Sequence, residues 1–240
     1  MATERLWLAD ARRLTCLATV VAARADWVEL DRTVLAPTSR THRHPQPGDR
    51  GVLWAGGDKR NVTEVRERDG TLWHHVPRAA LKAGTKVNLH LDADRRLATS
   101  RAHTALHLLL PGLFAAGAVL RADPEVKGQG SFRLDLVRPL APSALAAALA
   151  AANGHVARNA TVTTEFATRD ALHDVDAQRF EPADPFPGPD LVRLVRIPGA
   201  CCYPCDGTHV ARTGLVGRIV LAEAKTTRAG CVLVGRVRDA

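Results

Sequence analysis

The apolar pattern of the 240-residue chain changes period near residue 95, and that change limits the fold more than any other feature. From about residue 14 to 90 the segments LTCLATVVAA, DWVEL, GVLWAGG, RNVTEVRERDGTLWHHV and TKVNLHLD are β-branched or alternating, with Gly, Asp and Pro between them. A period of two puts every second side chain on one face, so a small antiparallel barrel or sheet is expected. After LDADRR the period becomes helical. Thr99 or Ser100 is a candidate cap for a helix through Leu106, Leu109 and Leu110, stopped near Pro111-Gly112. A boundary near 95 divides the chain into 1–95 and 96–240.

The second part interleaves helix and strand signals. PSALAAALAAANGHVARN reads as a helix capped by Ser143 and ended near Asn153-Gly154, while TVTTEFAT, LVRLVRI, GRIVLAEAKT and CVLVGRV read as strands. APTSRTHRHPQPGDRG, with His42 and His44, and the proline-laden EPADPFPGPD read as loops. The class is therefore α+β. There is no internal repeat and no GxxxxGK[ST] loop, so ATP-dependent chemistry has no support in the sequence.

No apolar run approaches the roughly 20 residues of a membrane span, and the opening MATERLWLADARRL lacks the basic and apolar regions of a secretory signal. A cytoplasmic location is expected. In that setting the five cysteines, three of them in CCYPC, point to reduced thiols or metal ligands rather than disulfides. A net charge of +8 and a pI near 9.8 fit an anionic partner such as nucleic acid, although solubility alone also accounts for them.

Chemistry concentrates in two short stretches. In RAHTALHLLL, His103 and His107 lie one helical turn apart, so both imidazoles can address one ion from a rigid frame. Alone the pair is equally a pair of core histidines. CDGTH repeats the three-residue gap with Cys205 and His209, and a thiolate with imidazoles is a ligand set that Zn²⁺ prefers. Cys202-x-x-Cys205 offers a redox pair as an alternative. Four protein ligands would close a tetrahedral site, whereas catalysis at the metal needs an open position.

With CDGTHV followed by Thr213-Gly214 and Gly217, and with LDRTVLAPT, LDADRR, FRLDL and VRLVRIPG in their places, the chain resembles the editing domain shared by alanyl- and threonyl-tRNA synthetases. More closely it resembles the free-standing alanyl-tRNA editing proteins, along nearly its whole length. The resemblance implies an N-terminal β-barrel-like domain followed by an α/β two-layer editing domain with zinc held by His103, His107, Cys205 and His209. It further implies hydrolysis, in trans, of serine or glycine wrongly esterified to tRNA(Ala), with Thr104, Asp135 and Thr208 as candidates to line the pocket. The chain also departs from that pattern. The glycine pair of a GGQP segment is replaced within SRTHRHPQPGDRG, and Leu106 stands where synthetase-linked versions have Thr. Asp206 takes the place of a glycine, and Cys201 and Tyr203 stand where relatives have Asp and Gln. Two other functions therefore stay open: a zinc-stabilised tRNA-binding accessory protein, and a hydrolase of a different aminoacyl ester.

Overall fold

The computed structural model describes residues 2–38, 45–168 and 191–239. Parts of both loop stretches, including His42, His44 and all of EPADPFPGPD, lie outside the described residues. The described chain is mostly sheet with three helices, and it separates into two compact units: residues 2–38 with 46–98, and residue 45 with 99–168 and 191–239.

In the first unit a two-residue strand β1 (Glu4–Arg5) and a one-turn helix α1 (Leu6–Ala9) precede β2 (Thr15–Arg24), β3 (Trp27–Leu30), β4 (Arg32–Thr33), β5 (Gly51–Ala55) and β6 (Asp58–Val62). Strands β7 (Glu64–Arg68), β8 (Thr71–His75) and β9 (Lys86–Leu91) follow. Seven strands form one curled, half-barrel sheet in the order β6-β5-β9-β2-β3-β8-β7, all in antiparallel pairs. Alternation produces this arrangement: Cys16, Ala18, Val20, Leu53, Val87 and Leu89 point to a common core while their neighbours face outward. The long β2 pairs with β9 through Thr19 and with β3 from Val20, and a bulge between Val20 and Ala22 supplies the bend. Asp69 and Gly70, both at positive φ, make the tight turn between β7 and β8.

The second unit contains most of α2 (Ala93–Ala115), then β10 (Glu125–Gly128), β11 (Ser131–Leu136), α3 (Pro142–Ala157), β12 (Thr163–Thr168), β13 (Leu191–Ile197) and β14 (Cys201–Pro204). It ends with β15 (Arg218–Thr227) and β16 (Gly230–Arg238). One antiparallel sheet runs β10-β11-β16-β15 and another β12-β13-β14. Leu106, Leu109, Leu110 and Leu113 of α2 pack with Phe132, Leu134 and Leu136 of β11, Leu233 of β16 and Ala148 of α3. Each fully buried leucine contributes about 1.5–3 kcal/mol relative to exposure. Where the helices meet, a Cβ on Gly112 would stand 2.9 Å from the Ala148 Cα, so the close approach depends on glycine.

Helix ends differ from the sequence reading for identifiable reasons. Helix α2 starts at Ala93, not near Thr99, because Asp92 is the cap: the Arg95 N–H donates to its Oδ1 at 3.1 Å. It also runs through Pro111 to Ala115, since burial of Leu113 and Phe114 outweighs the rung that proline cannot make. In α3 the start is Pro142, with no side-chain cap from Ser143. Asn153-Gly154 does not end α3: Asn153 is docked on β15, donating to the Leu149 and Ile219 carbonyls and accepting the Ile219 N–H.

Two buried polar groups tie the first unit together. Arg96, on the first turns of α2, pairs with Asp49 at 2.5 Å and donates to the Ala11 and Val34 carbonyls, while Asp49 accepts the Ala36 N–H. Every charge in this pair is answered, as a buried ion pair requires. His74 donates from Nδ1 to the Val28 carbonyl at 3.1 Å and accepts the Thr33 hydroxyl at Nε2. Burial pushes its pKa down from 6.5 to about 4.

Because His74 is neutral when folded and protonates at about pH 6.5 when unfolded, the unfolded chain binds the extra proton in between. Stability is therefore present above pH 6.5 and is lost as pH falls toward 4, by up to about 3 kcal/mol from this group. Urea midpoints measured from pH 7 to 4.5 should fall for the native chain, and His74→Gln should remove part of that slope; equal slopes would contradict the assignment.

Candidate metal centre

The two chemical stretches of the sequence meet within the second unit. His103 and His107 project from the same face of α2, and Cys205 and His209 come from the loop after β14. One ligand atom from each of the four lies within 4.8 Å of all the others. Cys205 Sγ is 3.4 Å from His103 Nε2 and 3.4 Å from His209 Nε2. A first-row divalent ion held tetrahedrally by imidazoles and a thiolate separates its ligand atoms by about 3.3–3.6 Å, so the donor set fits such an ion in both chemistry and spacing. His103, His107 and His209 are all buried, and His107 meets the Tyr203 ring edge to face at 5.3 Å.

The loop reaches the helix because residue 207 is glycine. A Cβ there would overlap the His103 ring, so the backbone of CDGTH passes where no side chain fits. The Gly207 N–H donates to Cys205 Sγ at 3.3 Å. Beneath the loop, buried Arg193 of β13 donates to the Cys205 carbonyl at 2.5 Å and the Gly207 carbonyl at 3.0 Å. Burial pushes the Cys205 thiol up to about 12; Arg193 and the Gly207 N–H act in the opposite direction, and Asp206 adds to the rise. At neutral pH the thiol keeps its proton until a cation replaces it, so metal uptake is coupled to proton release.

Thr104 is buried, and counting its protons defines its role. Its hydroxyl donates to the Ser100 carbonyl at 2.8 Å and accepts the Val210 N–H at 3.2 Å. With that single proton committed, the contact of 3.1 Å to His209 Nδ1 requires the imidazole to donate. The tautomer that results carries its proton on Nδ1 and turns the lone pair of Nε2 toward Cys205 and the other ligand atoms. Thr104 is thus a positioning residue for His209 and the loop.

The other sequence candidates are placed differently. Thr208 is buried on the loop between Gly207 and His209. Asp135 is not brought to the cluster: on β11 it alternates with the core residues Leu134 and Leu136, so it faces the other side of the sheet, where it pairs with Arg133 at 2.9 Å. None of Cys201, Cys202 and Cys205 forms a disulfide. Sequence reasoning missed Arg193. In LVRLVRI it looks like one of two outward-facing charges, yet Arg196 is exposed and pairs with Glu165 while Arg193 is buried. The signal was the apolar setting on both sides of Arg193, which an arginine enters only with acceptors to meet it.

Residues 192–232 match the threonyl and alanyl tRNA synthetase second additional domain. Along most of its length the chain is similar to alanine–tRNA ligases. With that of Methanothrix thermoacetophila it shares 32% identity over 217 residues, 89% of this chain and 23% of the ligase. With that of Thermococcus kodakarensis it shares 31% over 224 residues, again 89% and 23%. With that of Pyrococcus abyssi it shares 29% over 239 residues, 95% and 25%. The chain spans about a quarter of the length of these relatives.

Thr104→Val should weaken Co²⁺ binding by about 10–100-fold, the usual range for a partner that orients a ligand, while Thr104→Ser should retain it. Competition with a chromophoric chelator measures this. Equal affinity in the valine variant would show that Thr104 does not orient His209.

Proposed function

We propose, from the match of residues 192–232 to the second additional domain of threonyl and alanyl tRNA synthetases and from the similarity to alanine–tRNA ligases along most of the chain, that it is a zinc-dependent aminoacyl-ester hydrolase that removes serine or glycine from tRNA(Ala). The observation that carries this reading is the convergence of three imidazoles and one thiol, from segments a hundred residues apart in sequence, with one donor atom of each within 4.8 Å of the others. Zinc is the metal that best suits three nitrogens and a thiolate.

The need for such an activity is physical. A pocket shaped for alanine cannot exclude glycine, which is smaller, and rejects serine weakly because serine adds only a hydroxyl. A separate hydrolytic site restores accuracy. Bound zinc would supply a Lewis acid beside the ester or its α-amino group. The chain's own residues do the rest: Thr104 holds the His209 tautomer, Gly207 admits the loop against His103, and Arg193 fixes the backbone on either side of Asp206. Three neutral imidazoles and one thiolate carry a single negative charge between them, so a divalent ion held by His103, His107, Cys205 and His209 would keep a net positive charge. Thr208, buried on the same loop, is the candidate that the resemblance offers to line the pocket.

The four-donor set also favours a second reading. A tetrahedral ion with four protein ligands is closed, as suits a zinc-stabilised tRNA-binding accessory protein. Leu106, in place of a threonine beside His107, leaves the choice of amino acid open to a different ester. No helix of the described residues is long and apolar enough to cross a membrane.

The test uses purified protein of measured zinc content with Ser-, Gly- and Ala-tRNA(Ala). Deacylation of the first two, sparing Ala-tRNA(Ala) and abolished by His103→Ala or Cys205→Ala, is the expected result. No deacylation by the zinc-loaded chain would favour the accessory reading, and activity unchanged in both variants would remove zinc from the mechanism.

A further inference from the structure

One outward face of the seven-stranded sheet is built unlike the rest of the first unit. The ladder places Lys59 of β6, Trp54 of β5, Asn88 of β9 and Leu17 of β2 in a single cross-strand row. Their neighbours Ala18, Leu53, Val62 and Leu89 are in the core, so this row faces away from it. Leu17 is 75% exposed and Trp54 40%, an unusual exposure for an aliphatic and an aromatic side chain in two strands separated only by β9. His90 lies two residues from Asn88 on the same side of β9, and so does Lys86, whose Nζ donates to Thr19 Oγ1 at 2.7 Å. Asp58 is the only acid in these four strands; it has the opposite parity and pairs with Arg60 at 3.4 Å. The outward positions of these four strands therefore combine an indole, two lysines and an imidazole with no carboxylate, while at the margin Asp31 accepts the Thr19 N–H at 2.7 Å.

We propose that this face binds an unpaired stretch of RNA, with a base stacked on Trp54 and phosphates met by Lys59 and Lys86. Single-stranded nucleic acid is held by this combination, an aromatic platform for the base and cations for the backbone. The row crosses three strand spacings, about 14 Å in all, which leaves room for a base with phosphates on both sides. A second copy of the chain suits the face poorly. Two-fold pairing would set Lys59 and Lys86 against their own counterparts with no outward carboxylate from these four strands to answer them. One indole and one leucine also fall far short of the roughly 800 Å² that each partner buries in a stable dimer. The inference extends the tRNA reading above to a contact outside the metal centre, and it does not require hydrolysis.

The experiment is fluorescence anisotropy of a short labelled oligouridylate titrated with the full chain at several salt concentrations. The native chain should bind. Trp54→Ala should weaken binding by about 5–100-fold, as loss of one stacked base does, while Trp54→Phe should keep most of it. Lys59→Gln with Lys86→Gln should flatten the slope of log affinity against log salt by about 1.4, two phosphate contacts at 0.7 each. Absence of binding by the native chain, or unchanged affinity and slope in these variants, would overturn the proposal. So would a shift of sedimentation from dimer to monomer in Leu17→Ser and Trp54→Ala without loss of RNA binding, which would assign the face to a second copy. His103→Ala separates the two readings: it should abolish metal binding and deacylation and leave oligouridylate binding intact.

Discussion

Three imidazoles and a thiol held within 4.8 Å of one another, away from water, are costly to bury without an ion. Each donor atom gives up hydration, and burial pushes the Cys205 thiol up to about 12 against the opposing effects of Arg193 and the Gly207 N–H. A divalent cation reverses that balance by giving four lone pairs one acceptor and by displacing the thiol proton. Much of the second unit follows from assembling these donors. Helix α2 must be rigid and fully packed to hold two imidazoles one turn apart, and the loop after β14 must reach it. Glycine at 207 and Arg193 beneath the loop satisfy the second demand.

The cluster also explains why a polar stripe is tolerated on an otherwise apolar helix. Leu106, Leu109, Leu110 and Leu113 bury the remaining faces of α2, and the Thr104 hydroxyl makes an orienting contact for His209. His209 thus has a defined partner and a defined tautomer. In the proposed reading, an ion held by these donors would lie beside an aminoacyl ester whose carbonyl it could polarise or whose α-amino group it could orient. The same four ligands serve the accessory reading, since a closed tetrahedral ion stabilises whatever fold supplies them.

Much of this was legible in the sequence because it depends on periodicity and spacing. Alternating segments became strands β2, β3, β5, β8, β9, β15 and β16, and the paired three-residue gaps identified the four donors that meet. Features that depend on tertiary contacts were not legible. Asp92 rather than Thr99 caps α2, because the cap is decided by where the chain leaves β9. Pro111 and Gly154 lie inside helices because packing and the docking of Asn153 outweigh local propensity. Asp135 pairs with Arg133 on the far face of its sheet, a side that its own alternation decides once the core face is known. Arg193 was hidden because its partners are backbone carbonyls, which leave no trace in residue identity.

X-ray absorption at the metal edge of the purified chain tests the centre most directly. One zinc per chain is predicted, with about three nitrogens near 2.0 Å and one sulfur near 2.3 Å in the first shell. A substoichiometric metal, or a shell of nitrogen and oxygen with no sulfur, would contradict a centre built from His103, His107, Cys205 and His209.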